Sequence, residues 1–92
     1  MSTDVRFSYW TYEKSIANGI SKDLTVSLSR CDSVRICNDT SGYSITVRFN
    51  EQPYSVTVKG GEVFSDDLAV QKMTITNASG ATVAMRVYCS GE

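Results

Sequence analysis

A chain of 92 residues with nine basic and ten acidic side chains, and so a net charge of −1, is expected to fold as one domain with a modest core. The basic residues are dispersed, so neither nucleic acid nor a membrane surface is expected as a partner, because both need concentrated positive charge. No apolar run approaches the length of a spanning helix, and the first ten residues do not resemble a signal peptide, which predicts folding in a cytoplasm.

Residues 1–22 form an aromatic-rich segment that differs from the rest of the chain. Four of the nine aromatic residues fall within the first twelve positions: Phe7, Tyr9, Trp10 and Tyr12. Val5, Phe7 and Tyr9 alternate with polar residues, which predicts a short strand, and residues 15–21 are predicted to be a loop or one helical turn. The segment is either an edge strand packed on its own domain or an arm that reaches a neighbouring subunit. Because exposed aromatic side chains favour coverage by another chain, these four residues are the candidate oligomer or partner interface.

Residues 23–92 show a uniform alternation of apolar and polar residues, which is typical of strands with one buried and one solvent-exposed face. The alternating runs are short and are separated by Gly, Asn, Asp and Ser, which favour turns. This pattern predicts an all-β fold. The expected architecture is a small antiparallel β-sandwich of about seven to eight short strands, with a small β-barrel as the alternative.

Two hairpins are predicted within this domain. The first is the stretch from Ser33 to Phe49, in which residues 38–42 form a polar turn; we interpret it as the hairpin that organises the fold. The second joins residues 43–49 to residues 54–58. The core is predicted from the apolar face of each run: Leu24, Val26, Leu28, Val34, Ile36, Ile45, Val47, Val56, Val58, Phe64, Met73, Ile75, Val83, Met85 and Val87.

The sequence predicts no catalytic residue, metal site or cofactor, and therefore no enzyme. Histidine is absent, so a serine or cysteine nucleophile would lack its usual activating base. Asp66 and Asp67 are expected in a solvated turn. The three cysteines are expected to be small buried apolar residues, with a bridge from Cys37 to either Cys31 or Cys89 left open. Two Asn-x-Ser/Thr sequences, starting at Asn38 and Asn77, match the glycosylation sequon but are expected to be plain turns.

Residues 34–87 resemble small β-sandwich domains of tailed-bacteriophage virion proteins, such as head decoration, fibre and tail accessory proteins. The likeness is carried by three successive segments, VRICNDTSGYSITVRF, KGGEVF and MTITNASGATVAMRV. In that family the glycine–glutamate turn commonly follows a proline, whereas Lys59-Gly60 stands there in this chain. The motifs concern turns and core, so no functional residue is carried over from the family.

The resemblance implies a non-enzymatic structural component of a virion that acts by self-association or by docking on a capsid or tail. The expected partners are further copies of the chain and phage capsid or tail proteins, and the expected location is the virion after folding in the host cytoplasm. The alternative is a carbohydrate- or receptor-binding module. Its candidate ligand-binding residues are Tyr43 and Tyr88, the aromatic residues outside the N-terminal segment that could flank a sugar.

Overall fold

The computed structural model describes residues 8–28 and 30–91, which form a sandwich of two four-stranded antiparallel sheets. The strands are β1 (Ser8–Ile16), β2 (Ile20–Thr25), β3 (Cys31–Asn38), β4 (Ile45–Phe49), β5 (Ser55–Val58), β6 (Val63–Asp66), β7 (Lys72–Asn77) and β8 (Val83–Gly91). The first sheet has the order β1-β8-β3-β6 and the second has the order β2-β7-β4-β5. The predicted small antiparallel β-sandwich is therefore confirmed, with eight strands. Within these ranges there is no helix long and apolar enough to cross a membrane.

Most connections between successive strands cross from one sheet to the other; the link between β4 and β5 stays within one sheet. These two strands form the predicted hairpin, in which Ile45 lies opposite Val58. Asn50 and Glu51 in its turn have positive φ angles of 52° and 59°. Two successive residues of this kind match the right-handed twist of the strands on either side of a tight hairpin turn.

The other predicted hairpin, Ser33–Phe49, is wrong. Its two strands lie in different sheets, because β3 pairs with β8 and β6 whereas β4 pairs with β7 and β5. Alternation specifies which side chains a strand buries, but it does not specify the neighbouring strand. Buried Asn38 holds the crossing in place, since its amide donates hydrogen bonds to the backbone oxygens of Tyr43 and Val58 at 2.7 and 3.0 Å.

The N-terminal part of the described chain is extended and belongs to the sandwich. The loop predicted over residues 15–21 is shorter than expected: β1 continues to buried Ile16, a short turn contains Gly19 at φ 84°, and β2 begins at Ile20. Val5 and Phe7 of the predicted first strand lie outside the described residues. The predicted boundary between residues 22 and 23 falls within β2. The division of the chain into an N-terminal segment, residues 1–22, and a β-sandwich domain, residues 23–92, stays a prediction.

The core lies between the two sheets and is filled by aliphatic side chains. Leu28, Val56 and Phe64 are only partly buried, and the remaining predicted core residues are buried. The structure adds Ile16, Val70 and the cysteines Cys31 and Cys89 to this cluster. Since the inward faces of both sheets contribute, the interior is occupied by packed apolar groups.

Candidate interaction surfaces

The interior of the sandwich offers no polar site among the described residues. Its buried polar side chains are Asn38 and Asn77, and every buried side-chain nitrogen or oxygen in that part of the chain has a hydrogen-bond partner. No group of three or more His, Cys, Asp or Glu side chains in residues 8–28 and 30–91 could hold a metal ion. Candidate sites therefore lie on the edges and outer faces of the sheets, and the absence of catalytic residues and cofactors stays a prediction.

Strand β1 is the edge of the first sheet and carries three of the four predicted interface residues. It pairs with β8 along its whole length, from Ser8 opposite Gly91 to Ile16 opposite Val83. No strand in the described part of the chain pairs with its other edge. Phe7, the fourth predicted residue, lies outside the described residues.

The aromatic side chains of β1 divide between the two faces of the sheet. Trp10 and Tyr12 lie on the side of buried Ile16 and are partly buried against the core, with ring centroids 6.5 Å apart and ring planes inclined by 9°. Tyr9 lies on the outer side and leaves 74% of its surface exposed. The strand therefore carries aromatic side chains on both faces, next to an edge that has no partner strand in the described structure.

The outer face of the first sheet contains a shallow groove of about 520 Å³, which we call the outer-face groove. The strand register explains its lining, because Tyr88 of β8 lies opposite Arg35 of β3, which in turn lies opposite Ser65 of β6. The side chains that point outward around it belong to Tyr9, Ser33, Arg35, Cys37, Val63, Ser65, Arg86, Tyr88 and Ser90. The groove thus brings Tyr9, a predicted interface residue, together with Tyr88, a predicted ligand-binding residue.

A bidentate ion pair with Asp39 holds the Arg86 side chain on this outer face. Its Nε and Nη2 atoms donate to the Oδ2 and Oδ1 atoms of Asp39 at 2.8 and 2.9 Å, and its Nη1 donates to the Tyr88 hydroxyl at 3.3 Å. Hydrogen bonding to Asp39 is the largest cause that raises the pKa of Arg86, followed by hydrogen bonding to Tyr88. Asp39 lies in the segment that crosses from β3 to β4, so the charge of Arg86 is already balanced by a neighbouring loop.

Arg35 differs from Arg86, since its guanidinium is exposed and has no hydrogen-bond or ion-pair partner among the described residues. It stands between the strands that carry Tyr88 and Ser65. Next to it, the Ser33 and Ser90 hydroxyl groups form a hydrogen bond of 2.8 Å. Within the described part of the chain, the groove therefore has one positive charge that is balanced by a carboxylate and one that is not.

Tyr43, the other predicted ligand-binding residue, lies on a different surface. It precedes β4, is 39% exposed and borders an open depression of about 390 Å³ with Thr46, Thr76 and Ser79. The structure does not bring Tyr43 and Tyr88 into one platform. A ligand-binding role for either residue stays a prediction.

All three cysteines are free and buried. Cys31 and Cys89 lie in the core, where burial is the largest cause that raises the pKa of the Cys89 thiol to about 12, with a contribution from Cys31. Cys37 is opposite Val63 and Arg86, on the outer side of the sheet. Because Cys37 faces away from the core cysteines, the two bridges left open by the sequence are absent.

The outward orientation of Arg35, Arg86 and Tyr88 follows from the sequence, but their proximity does not. The signal was present in the alternation of β3 and β8, which fixes the side of each residue. The strand order β8-β3-β6, which makes these strands neighbours, cannot be predicted from the alternation. Asp39 was missed as a partner of Arg86 because it belongs to a turn 47 residues earlier in the chain.

These features define an all-β sandwich whose fold is similar to that of cupin domains. The chain superposes on the cupin domain of Schizosaccharomyces pombe Cnp3 with a TM-score of 0.60 and 14% sequence identity, covering 100% of this chain and 57% of that one. It is also matched to the Drosophila melanogaster CENP-C cupin domain with a TM-score of 0.41 and 11% identity, covering 99% of this chain and 64% of that one. No family model and no curated protein matches the sequence.

The predicted resemblance to phage virion proteins is wrong. A solved structure with a similar fold is a Cnp3 cupin domain. The motifs that suggested a virion protein form strands and turns of the cupin-like sandwich in this chain. The predicted virion function, the predicted virion location and the predicted phage capsid or tail partners are wrong for the same reason. The expected exclusion of nucleic acid and the carbohydrate- or receptor-binding alternative are corrected on the same ground. At 14% identity the likeness shows the fold and carries no function to this chain, which spans 57% of the length of the similar structure.

Proposed function

We propose that this chain is a non-enzymatic association domain whose β1 edge pairs with a second copy of itself. The observation that carries the proposal is the nine-residue strand Ser8–Ile16, which has an unpaired edge in the described structure and aromatic side chains on both faces. An unpaired row of backbone N–H and C=O groups is a template for another strand. The proposal rests on this edge and on the apolar filling of the interior.

One register makes two copies of β1 complementary. Around a two-fold axis at Tyr12, an antiparallel pair overlaps all nine residues, with Ser8 opposite Ile16 of the second copy. Trp10 then lies opposite Lys14 of the second copy, and Thr11 lies opposite Glu13. Shifting the axis to Glu13 would place two carboxylates opposite each other, which is unfavourable. The register centred on Tyr12 thus combines the longest overlap with no like charges directly opposed.

Two kinds of cross-strand contact between side chains favour this register. Lys14 and Trp10 both lie on the inward side of β1, and Lys14 is exposed at the edge. An ammonium over an indole face at such a site is worth about 0.5–1 kcal/mol, and it would occur twice by symmetry. The two Tyr12 rings would meet at the axis, where aromatic cross-strand pairs add up to about 1 kcal/mol.

Light scattering of the intact chain over a concentration series tests the association. We expect the mass of a dimer, and we expect Lys14→Glu to shift the equilibrium towards the monomer, because it removes the ammonium from Trp10 of the second copy and places a carboxylate against the negative face of that ring. Lys22→Glu is the matched control: Lys22 is an exposed lysine on β2, an edge strand of the second sheet. A monomer at every concentration would overturn the proposal. Lys14 would then be a charged edge residue that prevents the edge from pairing with another strand.

Cysteine cross-linking tests the register. In an antiparallel pair, opposed Cα atoms are about 4.5–5.5 Å apart, which is within the range that a disulfide needs. Tyr12→Cys should therefore give a covalent dimer under mild oxidation. Thr11→Cys should not, because the two Thr11 positions are diagonal to each other and lie beyond bridging distance. Efficient cross-linking of Thr11→Cys alone would contradict the register while leaving association intact.

A further inference from the structure

We propose that the outer-face groove binds an extended peptide through one of the peptide's acidic side chains, with Arg35 as the residue that receives the carboxylate. The inference does not depend on pairing of β1. Among the described residues, the charged side chains that line the groove are Arg35 and Arg86, and none of the described lining residues carries a carboxylate. Asp39 balances Arg86 with both oxygens, which leaves Arg35 as the charge without a described partner.

Tyr88 supplies a second donor for the same carboxylate. Its hydroxyl oxygen accepts a hydrogen bond from Arg86 Nη1, so its own O–H hydrogen remains available for a ligand. Tyr88 lies opposite Arg35 on the neighbouring strand, and the donors of the two residues thus project from one row of the sheet. A carboxylate accepts from several donors at once, and charge-assisted bonds of this kind are about twice as strong as neutral ones.

The shape and polarity of the groove fit an extended chain. It runs over an open sheet face, with exposed Tyr9 in its lining and Val63, which is 50% exposed, on the far strand. The hydroxyl groups of Ser33, Ser65 and Ser90 add donors and acceptors along the floor. Alternating polar and apolar contacts of this kind match the side-chain period of a β-strand.

Charge favours an acidic peptide over nucleic acid. A nucleic-acid surface normally carries a stripe of several basic residues, since affinity comes mainly from neutralised phosphates. Here one of the two guanidinium groups is already paired, and the chain has a net charge of −1. A single guanidinium without a carboxylate partner in the described residues suits one carboxylate of a ligand.

The test is an NMR titration of the intact chain with a capped hexaglutamate peptide, with capped hexaglutamine and a thymidine hexanucleotide as comparison probes. We expect hexaglutamate alone to shift backbone amide signals of β3, β6 and β8. Arg35→Gln should weaken its binding about tenfold or more, and Tyr88→Phe about fivefold, because each variant removes donors while leaving the fold unchanged. Added salt should weaken binding further.

Arg48→Gln is the matched control. Arg48 is an exposed arginine at an outward position of β4 in the second sheet, and its replacement should leave the affinity unchanged. Equal affinity of Arg35→Gln and wild type, tighter binding of the hexanucleotide, or no shift with hexaglutamate would each overturn the inference. Repeating the titration with Lys14→Glu separates the two proposals, since the outer-face groove should bind equally well in an unpaired chain.

Discussion

Two buried asparagines connect the sheets of this sandwich through their side chains. Asn38 ends β3 of the first sheet and donates to the Val58 oxygen of the second sheet at 3.0 Å. Asn77 ends β7 of the second sheet and donates to the Ile16 oxygen of the first at 2.6 Å. Each amide oxygen also accepts a backbone N–H two residues later, as turn-forming asparagines do. Since both side chains are buried, the sequon matches are structural turns, as expected.

Replacing Asn77 by alanine should destabilise the fold strongly. The change leaves the backbone oxygens of Ile16 and Ala81 without their side-chain donor, and one of these bonds is fully buried. We expect a loss of about 2–4 kcal/mol in the free energy of unfolding, measured by urea denaturation. Asn18→Ala is the control, because exposed Asn18 accepts a single backbone hydrogen bond within the described residues, from Gly80. It should cost about 1 kcal/mol or less, and an equal loss in both variants would contradict the account.

The Cys89 thiol should make stability fall at alkaline pH. Its pKa is raised from 9.0 to about 12 in the folded chain, mainly by burial. The unfolded chain begins to lose this proton near pH 9 while the folded chain keeps it, so the contribution is complete below pH 9 and is lost as pH rises towards 12.

Cys89→Ala should therefore flatten the decline in unfolding free energy over that range, when urea denaturation is repeated from pH 8 upward. The replacement also removes buried volume, so its loss of stability at neutral pH is not the informative quantity. Val87→Ala is the control, because it truncates a buried neighbour on the same strand without removing a titratable group. It should lower the curve without changing its slope. Parallel curves for Cys89→Ala and wild type would contradict the assignment.

At the scale of elements, the turn before β6 packs directly against the crossing from β3 to β4. Gly61 donates its N–H to the Asn38 oxygen at 2.9 Å, and Glu62 donates to the Lys59 oxygen at 2.9 Å. A Cβ atom on Gly60 would lie 2.4 Å from the Thr40 oxygen and 2.5 Å from the Gly42 nitrogen. The absence of a side chain at Gly60 lets these two backbone segments meet.

Gly60→Ala and Gly61→Ala form a matched pair that tests this contact. Gly61 has φ 83° and open space around the missing Cβ, so alanine there should cost about 1–2 kcal/mol through backbone strain alone. Gly60→Ala should cost about 3 kcal/mol or prevent folding, because backbone atoms must move apart. Urea denaturation, with circular dichroism to detect folding, measures both. A smaller loss for Gly60→Ala than for Gly61→Ala would contradict the close approach.

The elements also show how far alternation predicts a fold. The predicted core residues Met73 and Ile75 of β7 and Val83, Met85 and Val87 of β8 all lie on the buried face, because a period of two is encoded locally. The β4–β5 hairpin was predicted because its turn lies between adjacent runs. The supposed Ser33–Phe49 hairpin looked the same in sequence, yet its turn crosses between sheets. The two turns differ because the buried Asn38 side chain donates hydrogen bonds to the backbone oxygens of Tyr43 and Val58, and Val58 is 20 positions away in the chain.

At the scale of the whole molecule, a cupin-like sandwich with an apolar interior leaves recognition to its edges and outer faces. The interior contains aliphatic side chains in the described structure. The β1 edge and the outer-face groove share the first sheet but use different residues, apart from Tyr9 at their border. One domain can therefore pair with a copy of itself and bind a peptide at the same time.

Association through β1 should also make thermal stability depend on protein concentration. Dissociation accompanies unfolding of a dimer, so each tenfold dilution removes about 1.4 kcal/mol per dimer. We expect the melting temperature to fall on dilution for the wild type and for Lys22→Glu. For Lys14→Glu it should be nearly independent of concentration. A wild-type melting temperature that stays constant across the series would count against the dimer.

The sequence by itself determined the all-β class, the face that most strands bury and the β4–β5 hairpin, because these depend on neighbours within a few residues. The tertiary structure decided the pairing of β1 with β8, the separation of β3 from β4 and the meeting of Arg35 with Tyr88, which lie 53 positions apart in the chain. It also showed a cupin-like fold where local motifs had suggested a virion protein. The physical reason is that alternation orients each side chain, whereas the order of strands follows from how both sheets bury their apolar faces together.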